Sequence, residues 1–179
     1  VERFPNHRLT FNYTLPNGLY GEIREKEKGE NGKYGVLSLS EEQVRSLKEK
    51  MTGYIKMGLP LEKKKLPKDI VASIFKNTGY TAKSLLAEKS KRYFTSIYYL
   101  DGYPDTFYGP LLPSTDYIEL FDLVPYSDGF CLQAPSTSEP WKVADYKYQD
   151  KLNEIFKEHS EWNDILGVES LAHLNKATE

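Results

Sequence analysis

The feature that most constrains the fold of this chain is a turn set between two short segments of strand-like composition. In residues 9–14, apolar and polar side chains alternate with the period of a half-buried strand. The Pro16–Gly18 turn follows, and Asn and Gly accept the positive φ angles of a tight hairpin. The chain returns through residues 19–23, so the pattern predicts an antiparallel hairpin over 9–24. Residues 26–33, charged and Gly-rich, are predicted to form an exposed loop.

Two helices are predicted after the hairpin. Ser40–Gln43 is a capping box, in which the Ser hydroxyl and the Gln side chain satisfy exposed amides, and it predicts a helix at about 40–57. A second helix is predicted at about 67–78, because Pro67 suits its first position. Between them, residues 60–66 are predicted to be an edge strand with lysines on its exposed face.

The rest of the chain predicts more strands and a last helix. Aromatic and β-branched content predicts strands at 93–100, 117–124 and 128–133. The Asp101-Gly102 pair predicts a turn after the first of them. An amphipathic pattern predicts a long C-terminal helix at about 145–166. The mixed order of elements argues against a doubly wound parallel sheet. We therefore expect an α+β fold, with a mostly antiparallel sheet and packed helices.

Composition excludes some classes of function. The 24 Lys+Arg and 26 Asp+Glu residues give a formal net charge of −2, so no global charge attracts nucleic acid or an anionic membrane. The one cysteine, Cys131, cannot form an internal disulfide and suggests a reducing compartment, so we expect a cytoplasmic protein. Its strand-like surroundings indicate a buried, inert thiol rather than a nucleophile. No apolar run approaches the roughly 18 residues of a membrane span.

Common catalytic motifs are absent from the sequence. It has no Walker A phosphate loop, no G-x-G-x-x-G and no G-x-S-x-G. The three histidines are scattered, and His159 on the last helix is interpreted as a packed or interface residue rather than a catalytic one. Lys63–Lys65 and Lys68 could contact phosphates, but a solvated guard of the edge strand is the favoured interpretation.

The segment 98–128 is the most suggestive of a ligand site. It is rich in tyrosine and aspartate, which suit a polar pocket with flat walls. Its acids repel phosphate and argue against a groove that follows a nucleic-acid backbone. The ligand-pocket candidates are Tyr98, Asp105, Tyr108, Ser114, Thr115 and Asp128. The alternative, favoured on composition alone, is a Tyr-rich sheet with Asp in its turns.

The same segment also carries a family resemblance. Residues 107–115 and 118–123 resemble the second additional, editing-type domain of threonyl-tRNA synthetases, in which a Cys-x-Gly-Pro-His-x-Pro-x-Thr pattern occurs. Residues 40–62 resemble the family's helix-then-strand segment, and residues 9–23 resemble its opening hairpin. The resemblance is collinear over about residues 9–134.

Two departures from that pattern bear on function. Where the editing domain has its Cys and His, this chain has Phe107 and Leu111. The resemblance also places a His-x-x-x-His pair on a preceding helix, and we expect this chain to begin after it. Phe and Leu cannot bind a metal or transfer a proton in ester hydrolysis. No metal ligand set and no catalytic residue are therefore expected.

The chain also resembles the N-terminal half of bacterial uridine (nucleoside) kinases. The resemblance lies in residues 108–115 and 121–129 and in a connecting helix at 150–166. It implies a synthetase-like accessory domain at 1–135, followed by a linker and helical extension at 136–179 that leads to an absent kinase domain. ATP and Mg would bind only to that kinase half. The first residue is not Met, and an excised piece of a longer protein is expected.

Three interpretations of function follow. The leading one is a non-catalytic accessory domain that binds a ligand, contacts nucleic acid, regulates its own kinase domain, or forms a homodimer through the 148–166 helix. The second is a tRNA-related, editing-type domain in which Asp105, Tyr108 and Asp128 act as acid, base or positioning groups. The third is a structural module whose aromatic stripe is an interface.

Overall fold

The computed structural model describes residues 6–15, 18–28, 34–107 and 109–143, and in the C-terminal segment residues 155, 158 and 162. These residues form an α+β fold whose strand pairs are antiparallel, as predicted. The strands are β1 (His7–Leu15), β2 (Gly18–Lys28), β3 (Tyr34–Leu37), β4 (Leu61–Pro67), β5 (Phe94–Leu100), β6 (Tyr103–Asp105), β7 (Asp122–Tyr126) and β8 (Gly129–Gln133). The helices are α1 (Glu41–Met57), α2 (Lys68–Asn77) and α3 (Thr81–Glu88), with a 3-10 turn at Thr115–Tyr117.

The described residues divide into two compact units, each with its own sheet. The first unit lies within Val1–Gly53 and Ile118–Asp164, and the second within Tyr54–Tyr117. In the first, the strand order is β1-β2-β8-β7, with β3 also paired to β2. In the second, the order is β4-β5-β6. The single sheet expected from the sequence is therefore corrected to two, because β4 and β5 pack against a core of their own.

The sheet of the first unit buries apolar side chains on both faces. One face packs against α1 through a cluster of Ile23, Leu39, Val44, Leu123 and Phe130. The other face carries a second cluster of Leu15, Tyr20, Tyr126 and Cys131. Cys131 is fully buried, which confirms the sequence prediction for its burial. The β2 and β8 backbones meet so closely that a Cβ on Gly129 would lie 2.2 Å from the Gly21 carbonyl oxygen.

Helix α1 begins at the predicted capping box. The Gln43 amide donates to the Ser40 hydroxyl oxygen at 3.2 Å, and the Ser40 amide donates to the Gln43 side-chain oxygen at 2.8 Å. Leu39 and Val44, which flank the box, both lie in the first core cluster. These two side chains form a hydrophobic staple, which fixes the start of the helix against the sheet.

The second unit has two differently used sheet faces. One face packs against α2 and α3 through a buried cluster of Val71, Ala72, Phe75, Ala87 and Ile97. Because side chains alternate along strands, the register Lys63↔Tyr98 places these two residues on the opposite face from Ile97. Strand β4 is an edge of this sheet, as predicted, and its three consecutive lysines are exposed.

Three boundaries differ from the sequence prediction. The strand expected at 117–124 begins only at Asp122, because residues 118–120 join no ladder and remain exposed. The loop expected at 26–33 is shorter at its start, since β2 continues to Lys28. Helix α3 was not predicted at all. Its N-cap residue, Tyr80, makes no side-chain cap hydrogen bond, so no start motif marks the helix in the sequence.

Most of the predicted C-terminal helix lies outside the described residues, and so does His159. Within it the structure describes Ile155, Glu158 and Trp162, each helical and exposed. The prediction of one long helix over 145–166 thus stays a prediction. Within the described part of the chain, no helix is long and apolar enough to cross a membrane.

Candidate functional site

The candidate site is built where β5 and β6 face each other in the second unit. Tyr98 lies directly opposite Asp105 in the antiparallel ladder, so their backbones are neighbours in the sheet. The two-residue turn that joins these strands has positive φ at Asp101 (49°) and Gly102 (80°), the geometry of a tight hairpin. The Asp-Gly pair in the sequence therefore brings two of the predicted site residues together.

Tyr98 ties the sheet to the loop that follows β6. Its side chain is buried, and its hydroxyl donates a hydrogen bond of 2.9 Å to the carbonyl oxygen of Gly109. Gly109 has a φ of +99°, which L side chains rarely adopt, so glycine suits this point of the loop. The Phe107 ring meets the Tyr98 ring edge-on, with centroids 6.2 Å apart. The loop therefore lies over Tyr98 and leaves the Phe107 ring half exposed.

Asp105 is held by a lysine that the sequence analysis did not select. The Lys83 ammonium on α3 lies 2.5 Å from one carboxylate oxygen, which also accepts the Thr106 amide at 2.6 Å. The ammonium lies 5.8 Å from the centroid of the Phe75 ring and 5.1 Å from that of Tyr80. These cation–π contacts hold the Lys83 ammonium in place beside the Asp105 carboxylate.

Burial and nearby negative charge act together on Tyr80. Its pKa is raised above the usual value near 10, first by burial and then by the charges of Asp105 and Tyr103. Tyr80 therefore keeps its phenolic proton across the physiological pH range. The pair Lys83 and Asp105 thus stands beside a neutral phenol, an arrangement that can donate and accept hydrogen bonds.

Ser114 and Thr115 do not join this pair. The buried Thr115 hydroxyl donates to the Tyr54 carbonyl oxygen at 2.7 Å and accepts the Leu59 amide at 2.9 Å. These bonds fasten the 3-10 turn to the end of α1 and leave the hydroxyl little capacity for a ligand. The Ser114 hydroxyl is hydrogen-bonded to the Asp116 carboxylate.

Of the remaining predicted positions, one belongs to the first unit and one lies outside the described residues. Asp128 belongs to the first unit, where it forms the β7–β8 turn and its carbonyl oxygen accepts the Leu39 amide at 3.1 Å. Tyr108 lies outside the described residues. Of the six candidates, Tyr98 and Asp105 are the two that the strand register pairs directly.

The positions of the editing-type Cys and His carry apolar side chains in this chain. Phe107 packs on Tyr98, and Leu111 is partly buried. Among the described residues, no three His, Cys, Asp or Glu side chains are grouped to hold a metal ion. The lone thiol of Cys131 lies in the first unit, and burial raises its pKa to about 11. A thiolate is therefore scarce there at neutral pH.

Several residues of the site were missed by sequence reasoning. Lys83 lies 22 positions before Asp105, on a helix without a start motif, so no local pattern links the two. The Gly109 carbonyl is equally hidden, because it is a backbone group. The Asp101–Gly102 turn is the one sequence pattern that pointed to the meeting of β5 and β6.

Comparison with known proteins gives one consistent group of relatives. No family model matches the chain. The threonine–tRNA ligase of Thermotoga petrophila is 31% identical over 125 residues, which is 70% of this chain and 18% of the ligase. That of Thermotoga maritima is 30% identical over the same shares, and that of Laribacter hongkongensis is 26% identical over 69% of this chain and 18% of the ligase.

The described residues form an α+β fold, and the chain is similar in sequence to part of threonine–tRNA ligases. The similarity covers about 70% of the chain, but the chain spans less than a fifth of the length of the curated relatives it matches. These relatives favour the tRNA-related interpretation over the kinase one, and they do not show an association with a uridine kinase.

Proposed function

We propose that this chain is a tRNA-related domain of a threonyl-tRNA synthetase-like protein, one that engages charged tRNA without hydrolysing it. The similarity to threonine–tRNA ligases over 125 residues carries the proposal. The half-exposed Phe107 ring packed on Tyr98 supports it, because a flat exposed aromatic wall suits the base of a terminal nucleoside. The rest of such a protein, and its activity, lie beyond this chain.

The lack of hydrolysis in this proposal follows from Phe107 and Leu111. Ester hydrolysis at the editing-type position needs groups that bind a metal or move a proton, and neither side chain can do so. The Phe107 ring instead supplies a flat wall, held edge-on by Tyr98. A terminal base stacked on that ring would be held rather than processed.

The experiment measures binding and deacylation of Ser-tRNA(Thr) by the whole chain. We expect saturable binding and a hydrolysis rate equal to that of the tRNA alone. Phe107→Ala should weaken binding by about fivefold or more, because stacking on a single ring is worth that much. Leu112→Ala is the matched control, since both side chains are 48% exposed in the same loop. Metal-dependent deacylation, or no tRNA binding, would contradict the proposal.

The kinase interpretation is the second candidate, and the apolar residues at 107 and 111 suit it equally well. In it the chain is a non-catalytic accessory domain whose partner is its own kinase domain, and ATP and Mg bind only to that other half. A homodimer through the 148–166 helix belongs to the same proposal. The full reading frame separates the two: a P-loop kinase sequence within it favours the kinase, whereas a class II synthetase core favours the tRNA-related function.

A further inference from the structure

A basic and aromatic surface runs along the β4 edge of the second unit, outside the Tyr98–Asp105 pair. We call it the β4-edge surface and define it by Lys63, Lys65, Lys91, Arg92, Tyr93 and Phe94, all of which are exposed. Tyr93 is 69% and Phe94 47% exposed, and their rings meet edge-on with centroids 5.1 Å apart. Two large aromatic rings that remain exposed side by side and next to cations indicate an interaction surface.

The strand register holds these cations and rings together. Lys63 pairs with Tyr98 and Lys65 with Ser96, so both lysines project from the face that α2 and α3 leave uncovered. The Lys63 ammonium lies 5.5 Å from the Tyr98 ring centroid, and the Lys65 ammonium 5.8 Å from that of Phe94. The surface therefore continues from the edge of the sheet to Tyr98.

The strand leading into β5 is fastened at the position of Tyr93. The Lys68 amide donates to the Tyr93 carbonyl oxygen at 2.9 Å. The Lys68 ammonium donates to the carbonyl oxygens of Glu88 and Ser90 at 3.1 and 3.2 Å. Tyr93 is thus presented on a backbone held at both sides, which lowers the entropy lost when its ring stacks on a partner.

Charge is strongly segregated around this surface. The residues that define the surface include four basic ones (Lys63, Lys65, Lys91 and Arg92) and no acidic one, a local balance of +4. The whole chain has a formal net charge of −2. The ion pair of Glu62 is with Lys64, on the other face, at 3.5 Å. The surface therefore calls for a polyanion.

We propose that the β4-edge surface binds single-stranded RNA, with bases stacked on Tyr93 and Phe94 and phosphates beside Lys63 and Lys65. Lysines alone would suit any polyanion, but exposed rings interleaved with cations match the alternation of base and phosphate along an unpaired strand. This inference deepens the proposed tRNA-related function by naming the surface that holds an unpaired segment.

The test measures anisotropy of a short fluorescein-labelled RNA without self-complementary sequence, bound by the whole chain over a range of KCl concentrations. Lys63→Gln with Lys65→Gln should weaken binding on the order of tenfold and reduce the salt slope by about 1.4, since each phosphate contact contributes about 0.7. Lys56→Gln with Lys76→Gln removes the same charge from exposed helix positions of the same unit and should leave binding within about twofold.

The stacking part of the proposal has its own pair of variants. Tyr93→Ala should weaken binding by at least about fivefold, whereas Tyr93→Phe, which keeps the ring, should bind as the unchanged chain does. Because Tyr93 is exposed, replacing it should not unfold the domain, and the thermal unfolding midpoint of each variant checks this. Equal binding by Tyr93→Ala and the unchanged chain would overturn the proposal.

The outcomes separate this inference from the proposed function. If the chain binds tRNA but not the unpaired RNA, or if both lysine pairs weaken binding equally, the inference is wrong and the proposed function stands. If the chain binds neither RNA, both are wrong. Binding to phosphatidylglycerol vesicles without RNA binding would assign the surface to a membrane and overturn the inference.

Discussion

The hydroxyl of Tyr98 reaches across the site and donates a 2.9 Å hydrogen bond to the carbonyl oxygen of Gly109. Because this bond fastens the post-β6 loop to the sheet, Tyr98→Phe should lower the free energy of unfolding by about 1 kcal/mol. It should also speed amide hydrogen exchange in the loop. Tyr99→Phe, on the opposite face of the same strand, is the control. Unchanged exchange in Tyr98→Phe would show that the loop is held by other contacts.

The negative charge of Asp105 helps to raise the pKa of Tyr80, so removing that charge should lower the pKa of Tyr80. In Asp105→Asn the pKa of Tyr80 should fall towards 10 but stay above it, because burial is the larger cause of the rise. Titration of carbon-13-labelled tyrosine rings by NMR reports this shift. Since the Lys83–Asp105 pair is about 40% exposed, the loss of stability should be only about 0–1 kcal/mol. A Tyr80 pKa that does not change would contradict this electrostatic coupling.

Elements predicted correctly are those whose stabilising contacts lie close along the chain. The Ser40–Gln43 box acts within three residues, and its two reciprocal hydrogen bonds are those that the pattern predicts. The β1–β2 hairpin and the Asp101–Gly102 turn likewise depend on local backbone preferences. Local sequence therefore carries enough information for these features.

Features missed by the sequence analysis depend on distant contacts. The start of helix α3 has no side-chain cap hydrogen bond, and burial of Ala87 in the core of the second unit stabilises the helix instead. Residues 118–120 have strand-like composition but no partner strand, so composition alone misled. The Lys83–Asp105 contact joins a helix to an edge strand and cannot be read from either segment. Sequence analysis could therefore select Tyr98 and Asp105, but it could not select Lys83, the ion-pair partner of Asp105.

Thr115 was a ligand-pocket candidate, but its contacts give it a structural role that mutation can measure. Thr115→Val keeps the shape and loses the bonds to the Tyr54 carbonyl and the Leu59 amide, so unfolding free energy should fall by about 2 kcal/mol. Thr115→Ser keeps the hydroxyl and should cost about 1 kcal/mol. Ser114→Ala should stay within about 0.5 kcal/mol. Urea unfolding measures all three, and equal losses in Val and Ser variants would count against these hydrogen bonds.

Two buried groups of the first unit, the Cys131 thiol and the Tyr20 phenol, predict that the free energy of unfolding falls at alkaline pH. Burial raises the pKa of Cys131 from about 9 to about 11, and burial and Glu22 raise that of Tyr20. The folded chain therefore keeps protons that the unfolded chain releases. The contribution of Cys131 is complete below about pH 9 and is lost as the pH rises through 11, and that of Tyr20 is lost at higher pH still. Cys131 alone should contribute on the order of 2 kcal/mol. Urea unfolding from pH 8 upwards measures how the free energy of unfolding falls with pH. The fall should be smaller in the double variant Tyr20→Phe with Cys131→Ala, and it should be unchanged in Tyr117→Phe, an exposed control. Equal falls in the unchanged chain and both variants would contradict the prediction.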